Sequence, residues 1–378
     1  MKNVILLSII LIILGACSSI PDNDQSNSID TLIEKPNFNY KIRSLPKQLN
    51  LYFFADQSEE GISYEVQGFL ANAYFYRNKI KYLPKIKIIR IENNKCIIQE
   101  QLEGFSIVFE TKKNKLVSNN SQCLEGLKKS ETFYVTNSRK DLQGYKYNFV
   151  VSRESEKKVL MNYIKDSDQR FVVIDSNTTN DAKIISNELI LRDKEVVETT
   201  TFKESMSSQN LFSKLMMADR SKERTRKLSR RISRQLAGEI RVRDDIDTFF
   251  LSVGLKDARN LKPALDYISA KNFNIFMLNS WEENETYNYI DNDLEDTLNS
   301  DMSIMMPINL PAYIPDIKRN RGFAVGYDSF EIVMLSFGGI NTKDFLYKGL
   351  SGRIKINRKE VEREPYIFRM LDEGIEIL

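Results

Sequence analysis

Leu49-Asn50-Leu51-Tyr52-Phe53-Phe54-Ala55, then a helix-length stretch from Ile62 to Asn78, then Ile86-Lys87-Ile88-Ile89-Arg90-Ile91: this opening decides the fold. Short strands, apolar on both faces and separated by helical lengths, are the pattern of parallel β-α-β units. The pattern continues with a helix around 96–103, a strand Ser106–Glu110, a helix to about 129 and a strand Thr132–Thr136. It then restarts. Strands are expected at Tyr147–Val151, Phe171–Asp175, Val196–Phe202, Asp247–Val253 and Asn274–Leu278. Helices are expected between them, at Glu154–Lys165, Ala182–Leu191, Asn210–Leu236 (one long helix) and Lys256–Ser269. A further helix, about Arg319–Ser336, precedes a strand pair, Gly352–Asn357 and Glu362–Met370, turning near 357–359 and closing on Gly374. Two βα runs predict an α/β fold of two Rossmann-like lobes joined by crossovers. Lobe I is expected at about 47–140 plus 280–325, and lobe II at about 145–275 plus the C-terminal elements.

Ahead of this domain, Lys2 begins an N-terminal segment whose residues Val4 to Leu14 are almost wholly apolar. That is too short to span a bilayer as a helix and has the form of a signal peptide, 1–16. Leu14-Gly15-Ala16-Cys17 resembles the lipobox of bacterial lipoproteins: small residues before the cut, then a thiol for diacylglycerol attachment. Cys17 is therefore the expected lipidation site, giving a palmitate-type anchor. Ser18 and Ser19 follow with no Asp, which in lipoprotein sorting looks like an outer-membrane address, with the domain facing the periplasm. Residues 17–46 are polar with Pro21, Pro36 and Pro46 as breakers, and read as a tether. About 29 residues reach roughly 100 Å fully stretched and nearer ~30 Å as coil.

Composition excludes several classes. Lys+Arg number 55 and Asp+Glu 52, a net charge of +3, so no global charge calls for nucleic acid. The chain has no histidine. That removes serine–histidine and cysteine–histidine catalysis and histidine metal sites. No motif calls for a cofactor, and no residue set assembles a nucleophile with its base, so an enzyme is not expected. An oxidising periplasm would permit a disulfide between Cys96 and Cys123; two separate buried thiols is the other reading.

The C-terminal third carries a resemblance. Arg243-Asp244-Asp245-Ile246-Asp247-Thr248-Phe249-Phe250-Leu251 precedes Ala258-Arg259-Asn260-Leu261-Lys262-Pro263. Then come Gly322-Phe323-Ala324-Val325-Gly326-Tyr327-Asp328 and Gly349-Leu350-Ser351-Gly352-Arg353-Ile354. In order and spacing these resemble the penicillin-binding-protein activator lipoproteins of the LpoA (LppC) type. Upstream, Val66–Tyr74 looks like that family's first helix and Phe149–Glu156 like the start of its second lobe. The resemblance implies a type I periplasmic-binding-protein-like fold over 47–378 and a non-catalytic regulator of peptidoglycan synthesis and cell shape. Its implied partner is a class A penicillin-binding protein. The family carries a helical-repeat domain ahead of this one, where this sequence has the tether. The alternative, from another class, is a periplasmic small-molecule receptor.

The residues divide between these readings. A receptor needs polar groups converging at strand ends; the candidates are Asp56, Glu110, Thr111, Thr136, Asn137, Ser152, Ser176, Ser280 and Trp281. A regulator should have a cramped or filled cleft instead. The run from Arg220 to Arg243 is rich in base; it reads as a solvated basic face or, through Arg224, Arg230, Arg231 and Arg234, as a surface that meets an acidic partner or anionic headgroups. Leu228, Ile232 and Leu236 recur every fourth residue, so that helix is expected to pack through them. Asp244, Asp245 and Asp247 are placed to accept backbone N–H groups or to pair with Arg241 and Arg243. Gly322 and Gly326, spaced i, i+4, let their helix pack closely against a sheet or the other lobe, and Tyr327 and Asp328 are placed to fix lobe orientation. Ser155-Glu156-Lys157-Lys158 matches the S-x-x-K of penicillin-recognising enzymes, but no K-T-G accompanies it. Asp291-Asn292-Asp293-Leu294-Glu295 resembles the start of a calcium loop, but Asp296 stands where the sharp turn needs Gly.

Overall fold

The computed structural model describes residues 32–33, 45–55, 61–77, 80, 83–92, 104–110, 127–136, 147–151, 153–164, 169–176, 181–203, 205–232, 241–278, 291–307, 310, 314, 319–337, 345–357 and 360–378. The chain builds two sheets. In the first, β1 (Gln48–Ala55) pairs in parallel with β2 (Lys85–Glu92) and β3 (Phe105–Glu110). Beyond β3 lie β4 (Thr132–Thr136) and β5 (Tyr147–Val150), also parallel. In the second, β6 (Arg170–Ser176) lies between β7 (Glu195–Phe202) and β8 (Thr248–Ser252), followed by β9 (Asn274–Met277) and β10 (Thr297–Asp301), all parallel. Each sheet thus repeats one doubly wound order, in which the second strand lies outside the first. The sequence expectation of a two-lobed, periplasmic-binding-protein-like α/β fold holds.

Burial on both faces explains why the strands read as continuous apolar runs. In the first lobe, α1 (Tyr64–Tyr76) and α7 (Arg321–Phe337) cover one face, with Phe69 edge-on to Phe330 at 5.2 Å and Tyr76 stacked on Phe330 at 5.7 Å. The two helices cross so closely that a Cβ on Gly326 would lie 1.7 Å from the Glu65 carbonyl oxygen, and one on Gly68 2.0 Å from that of Phe323. Asn72 seals the contact by donating to the Tyr327 carbonyl at 2.8 Å. The close approach expected to a sheet or the other lobe is made instead to another helix of the same lobe, tightly at Gly326 and only against side chains at Gly322. In the second lobe, α2 (Arg153–Tyr163) and α3 (Ala182–Ile190) place Leu160, Met161, Ile185 and Leu189 against Phe171, Val173 and Phe250. On the other face, α4 (Ser208–Leu215) and α6 (Leu255–Ile268) set Phe212 edge-on to Phe249 at 5.7 Å.

Among the described residues the chain passes between lobes three times: between β5 and α2, between β10 and α7, and at Pro365. The expected strand Glu362–Met370 is two strands in two lobes. β13 (Glu360–Glu364) joins the first sheet beside β5, completed by β12 (Gly352–Asn357) and β11 (Phe345–Gly349); β14 (Tyr366–Leu371) and β15 (Gly374–Ile377) close the second beside β10. Proline has no N–H to give a ladder, so the pairing changes sheets there.

The expected return to lobe I near 280 comes later, because β10 belongs to the second sheet and α7 opens the first-lobe segment that runs on to 364. Thr297-Leu298-Asn299-Ser300-Asp301 is too polar to read as a buried strand. Two of its side chains bond locally: Thr297 donates to the Leu294 carbonyl at 2.6 Å, and Asn299 donates to Thr297 Oγ1 at 2.9 Å. The single helix expected over 210–236 breaks into α4 and α5 (Ala218–Arg231) at Met217, whose φ is 56°. The returning chain takes the carbonyls freed there: Arg243 N–H bonds Met216 O at 3.1 Å and its guanidinium bonds Leu215 O at 3.4 Å. The tether is not wholly unpacked either. Leu32 and Ile33 are buried against the core, and the Tyr366 hydroxyl donates to the Leu32 carbonyl at 3.2 Å. The helices expected around 96–103 and up to 126 lie outside the described residues.

Candidate functional site

The place where strand order reverses in a doubly wound sheet leaves a crevice at the carboxyl ends of the strands, where ligands of such folds bind. In the second lobe that place lies between β6 and β8. Arg153, the first residue of α2, reaches across its strand ends. Arg153 donates to Asp181 Oδ2 at 2.8 Å, to Ser252 Oγ at 2.9 Å and to the Leu278 carbonyl at 2.5 Å. It thereby ties the ends of β8 and β9 to the residue that precedes α3. Burial pulls the Arg153 guanidinium down from its ordinary range, against the attraction of Asp181. Beside it, buried Asp175 accepts the Ala182 N–H at 2.9 Å through one oxygen, while its other oxygen has no hydrogen-bond partner among the described residues.

A second constellation pins the crossings. The turn Gly349–Gly352 is its keystone. Asp328, buried on α7, accepts the Leu350 N–H at 3.0 Å, the Ser351 N–H at 2.7 Å and the Ser351 hydroxyl at 2.5 Å. Burial pushes the Asp328 carboxyl up to about 6, against these three bonds. The chain leaving β10 docks on the same turn: the Ser303 hydroxyl donates to Gly349 O and the Ile304 N–H to Leu350 O, both at 3.0 Å. Arg363 on β13 donates to Ser351 O at 3.4 Å and forms a buried ion pair with Glu156 of α2, in the other lobe. Asp301 at the end of β10 receives a two-point guanidinium contact from Arg321, the first residue of α7, at 2.7 and 3.1 Å. All three passages between lobes thus carry a buried or nearly buried charge pair or a hydrogen-bonded turn. Asp328 acts within this frame through the turn, not by direct contact with the second lobe.

Of the cleft candidates, Glu110 and Thr136 are register partners at the ends of β3 and β4, and Ser176 ends β6 in the other sheet. Thr136 is buried at the first crossing, where its carbonyl accepts the Val151 N–H at 2.8 Å. Asp56, Thr111, Asn137, Ser152, Ser280 and Trp281 lie outside the described residues, as do Cys17, Cys96, Cys123 and Arg234. Sequence reasoning missed Arg153, Asp181, Ser252, Glu156, Asp301, Arg321 and Arg363. Arg153 opens a helix directly after a strand, a placement that carries a signal; the partners 99 and 207 residues apart carry none.

The aspartates after the basic run are structural. As expected, Asp245 pairs with Arg243 at 2.5 Å and Asp247 accepts a backbone N–H, that of Arg170, at 3.3 Å; Asp247 also pairs with the Arg170 guanidinium at 2.9 Å and Lys271 at 3.2 Å, and among the described residues Arg241 pairs with none of the three. Arg170 holds the Asp247 carboxyl down at about 2. Lys158 of the S-x-x-K match lies near Glu362 at 4.0 Å, and Asp291 of the acidic run pairs with Arg259 at 2.7 Å. The basic helix α5 departs from expectation. It buries only Ala218, and Leu228 and Ile232, expected to pack, are 45% and 51% exposed.

This architecture is that of the two-lobed periplasmic-binding-protein-like folds. Among solved structures, the C-domain of LpoA from Haemophilus influenzae, a regulator of PBP1A, matches with a TM-score of 0.54 at 12% identity over 88% of this chain and 99% of that one. Full-length LpoA from the same organism matches at 0.57 and 11% identity, over 90% of this chain and 60% of that one, so this chain spans about three fifths of it. A putative branched-chain amino acid ABC transporter protein from Chromobacterium violaceum matches at 0.51 and 12% identity, over 85% and 99% of the two chains. No protein-family model and no curated protein matches the sequence. At these identities the likeness is one of fold. Among the described residues no helix is long and apolar enough to cross a membrane.

Proposed function

We propose that this chain is a non-catalytic regulator of peptidoglycan synthesis. It is held at the outer membrane through Cys17, faces the periplasm, and contacts a class A penicillin-binding protein. The observation that carries this reading is the protein's own Arg153–Asp181 pair, which spans the strand ends at the second-lobe crevice. A receptor keeps that place for its ligand. The ionic pairs across the crossings favour a fixed surface over a hinge that closes on a small molecule. The fold shared with a PBP1A regulator supports it further. The test is titration of the protein with the periplasmic part of the organism's own synthase. A saturable complex in the micromolar range or tighter is expected, and its absence at low salt from a folded protein rejects the proposal.

One observation favours the receptor reading: the carboxylate oxygen of buried Asp175 that has no partner among the described residues stands at a strand end next to that crevice. A ligand that donates a hydrogen bond there would raise the melting temperature.

A further inference from the structure

Helix α5 differs from its neighbours in what it buries. Its predecessor α4 sinks Leu211, Phe212 and Leu215 into the core. After the left-handed Met217 the chain turns away, and of α5 only Ala218 is buried. Seven of its side chains are basic and two acidic. Their placement is ordered. With about 100° between successive residues of a helix, Leu228 and the following Ile232 fall on one stripe. Arg220, Arg224 and Arg231 line one flank of that stripe, and Lys222 and Arg226 lie beyond the other. Asp219 and Glu223 fall on the far side, where Lys227 neutralises Glu223 at 2.6 Å. Both stripe residues are exposed, which a helix that served only as a solvated charged face would not require. An apolar stripe between long basic side chains suits a boundary between water and lipid. The aliphatic groups enter the acyl edge, and the guanidinium groups reach back to the phosphates.

We propose that α5 docks this domain on an anionic lipid surface, with Leu228 and Ile232 at headgroup depth and Arg224 and Arg231 on the phosphates. The lipid supplies both things the helix presents, fixed negative charge and an apolar layer beneath it. An acidic protein surface would have to carry an apolar patch of matching width among its carboxylates. The docking is independent of any synthase contact.

The test uses the chain from residue 18 onward, which keeps every described residue and lacks the apolar N-terminal segment and Cys17. Sedimentation with phosphatidylcholine vesicles, with and without phosphatidylglycerol, reads the binding. The expected result is at least roughly tenfold more bound protein on the anionic vesicles, falling as salt shortens the screening length. The double variant Arg224→Glu, Arg231→Glu should abolish the preference. The variant Leu228→Ser, Ile232→Ser should weaken anionic binding several-fold with every charge intact. Each substitution is on an exposed position, and an unchanged melting temperature verifies the fold. Equal binding to both vesicles overturns the proposal, and so does a preference that survives charge reversal. Binding lost with the arginines but untouched by the serine pair also overturns it, and leaves an acidic protein as the occupant.

Discussion

Arg363 on the last strand of the first lobe forms a buried ion pair with Glu156 on the first helix of the second, 207 residues earlier in the chain. Burial pushes the Glu156 carboxyl up, and the Arg363 guanidinium opposes it. Removing one partner leaves the other charge without its counterpart in the interior, which costs about 3–5 kcal/mol. Arg363→Met should therefore destabilise by that amount in urea unfolding. Glu156→Leu combined with Arg363→Met should recover much of it, since well-packed apolar replacements of a buried pair are often neutral. Additive losses in the double variant would refute the coupling.

Asp328 gives a pH dependence of definite sign. Its folded carboxyl sits at about 6 against the ordinary 3.8, so the folded state holds the proton more tightly than the unfolded. This group's contribution to stability is greatest at low pH, declines as pH rises from about 4 to 6, and levels off above. The full swing is about 3 kcal/mol by linkage. Asp328→Asn should flatten that slope, whatever its effect at any single pH. Urea midpoints of both proteins at pH 5 and pH 8 measure it, and parallel curves would remove Asp328 as the cause. Asp247 adds little slope between pH 5 and pH 8, since its carboxyl, at about 2 folded and near 3.8 unfolded, is ionised in both states there.

The crossing of α1 and α7 separates two glycines one turn apart. A methyl on Gly326 meets the Glu65 backbone at 1.7 Å, which neither helix can relieve without moving. A methyl on Gly322 meets the Glu65 side-chain oxygen at 3.0 Å, and a side chain yields. Gly326→Ala should lower stability by about 1–3 kcal/mol or more through overpacking. Gly322→Ala should cost well under half of that. Equal melting temperatures for the two variants would contradict the geometry.

The alternation of strands and helices was legible because parallel strands covered on both faces are apolar along their whole length, as Phe171 to Ile174 are. The break at Met217 was not legible. Leu215-Met216-Met217-Ala218 contains no Gly, Pro or Asn, and only the returning Arg243 explains where the freed carbonyls go. Nor was β10, two of whose polar side chains bond locally inside the core. The motifs around Asp328 and Ser351 were visible as stretches, but their joining in one turn depends on tertiary approach. Leu32 and Ile33 read as part of a polar tether because two apolar residues in such a run make no pattern.

The packed Leu32 limits the proposed anchor. Only about 15 residues separate it from Cys17, so the linker to the lipid spans no more than roughly 50 Å fully extended. Cys17→Ser should move the protein from the membrane fraction to the soluble periplasm and remove the mass of the acyl chains. Unchanged fractionation and intact mass would reject lipidation.

The Arg153 contacts separate the regulator from the receptor by a thermal measurement. A ligand present at ~1 mM with a dissociation constant of ~10 µM adds about 2.7 kcal/mol to the folded state, enough to raise the melting temperature by a few degrees. Arg153 already bonds Asp181, Ser252 and the Leu278 carbonyl, so an incoming carboxylate or amine would have to displace it. Free amino acids and small aromatic acids should therefore leave the wild-type melting temperature unchanged. Arg153→Ala should lower stability by about 1–3 kcal/mol, because Asp181 and the Leu278 carbonyl lose their donor. Synthase binding should survive that change if the contact surface lies outside the crevice. A ligand that stabilises the wild-type protein by several degrees, and no longer does so after Arg153→Ala, would identify the crevice as a binding site and favour the receptor.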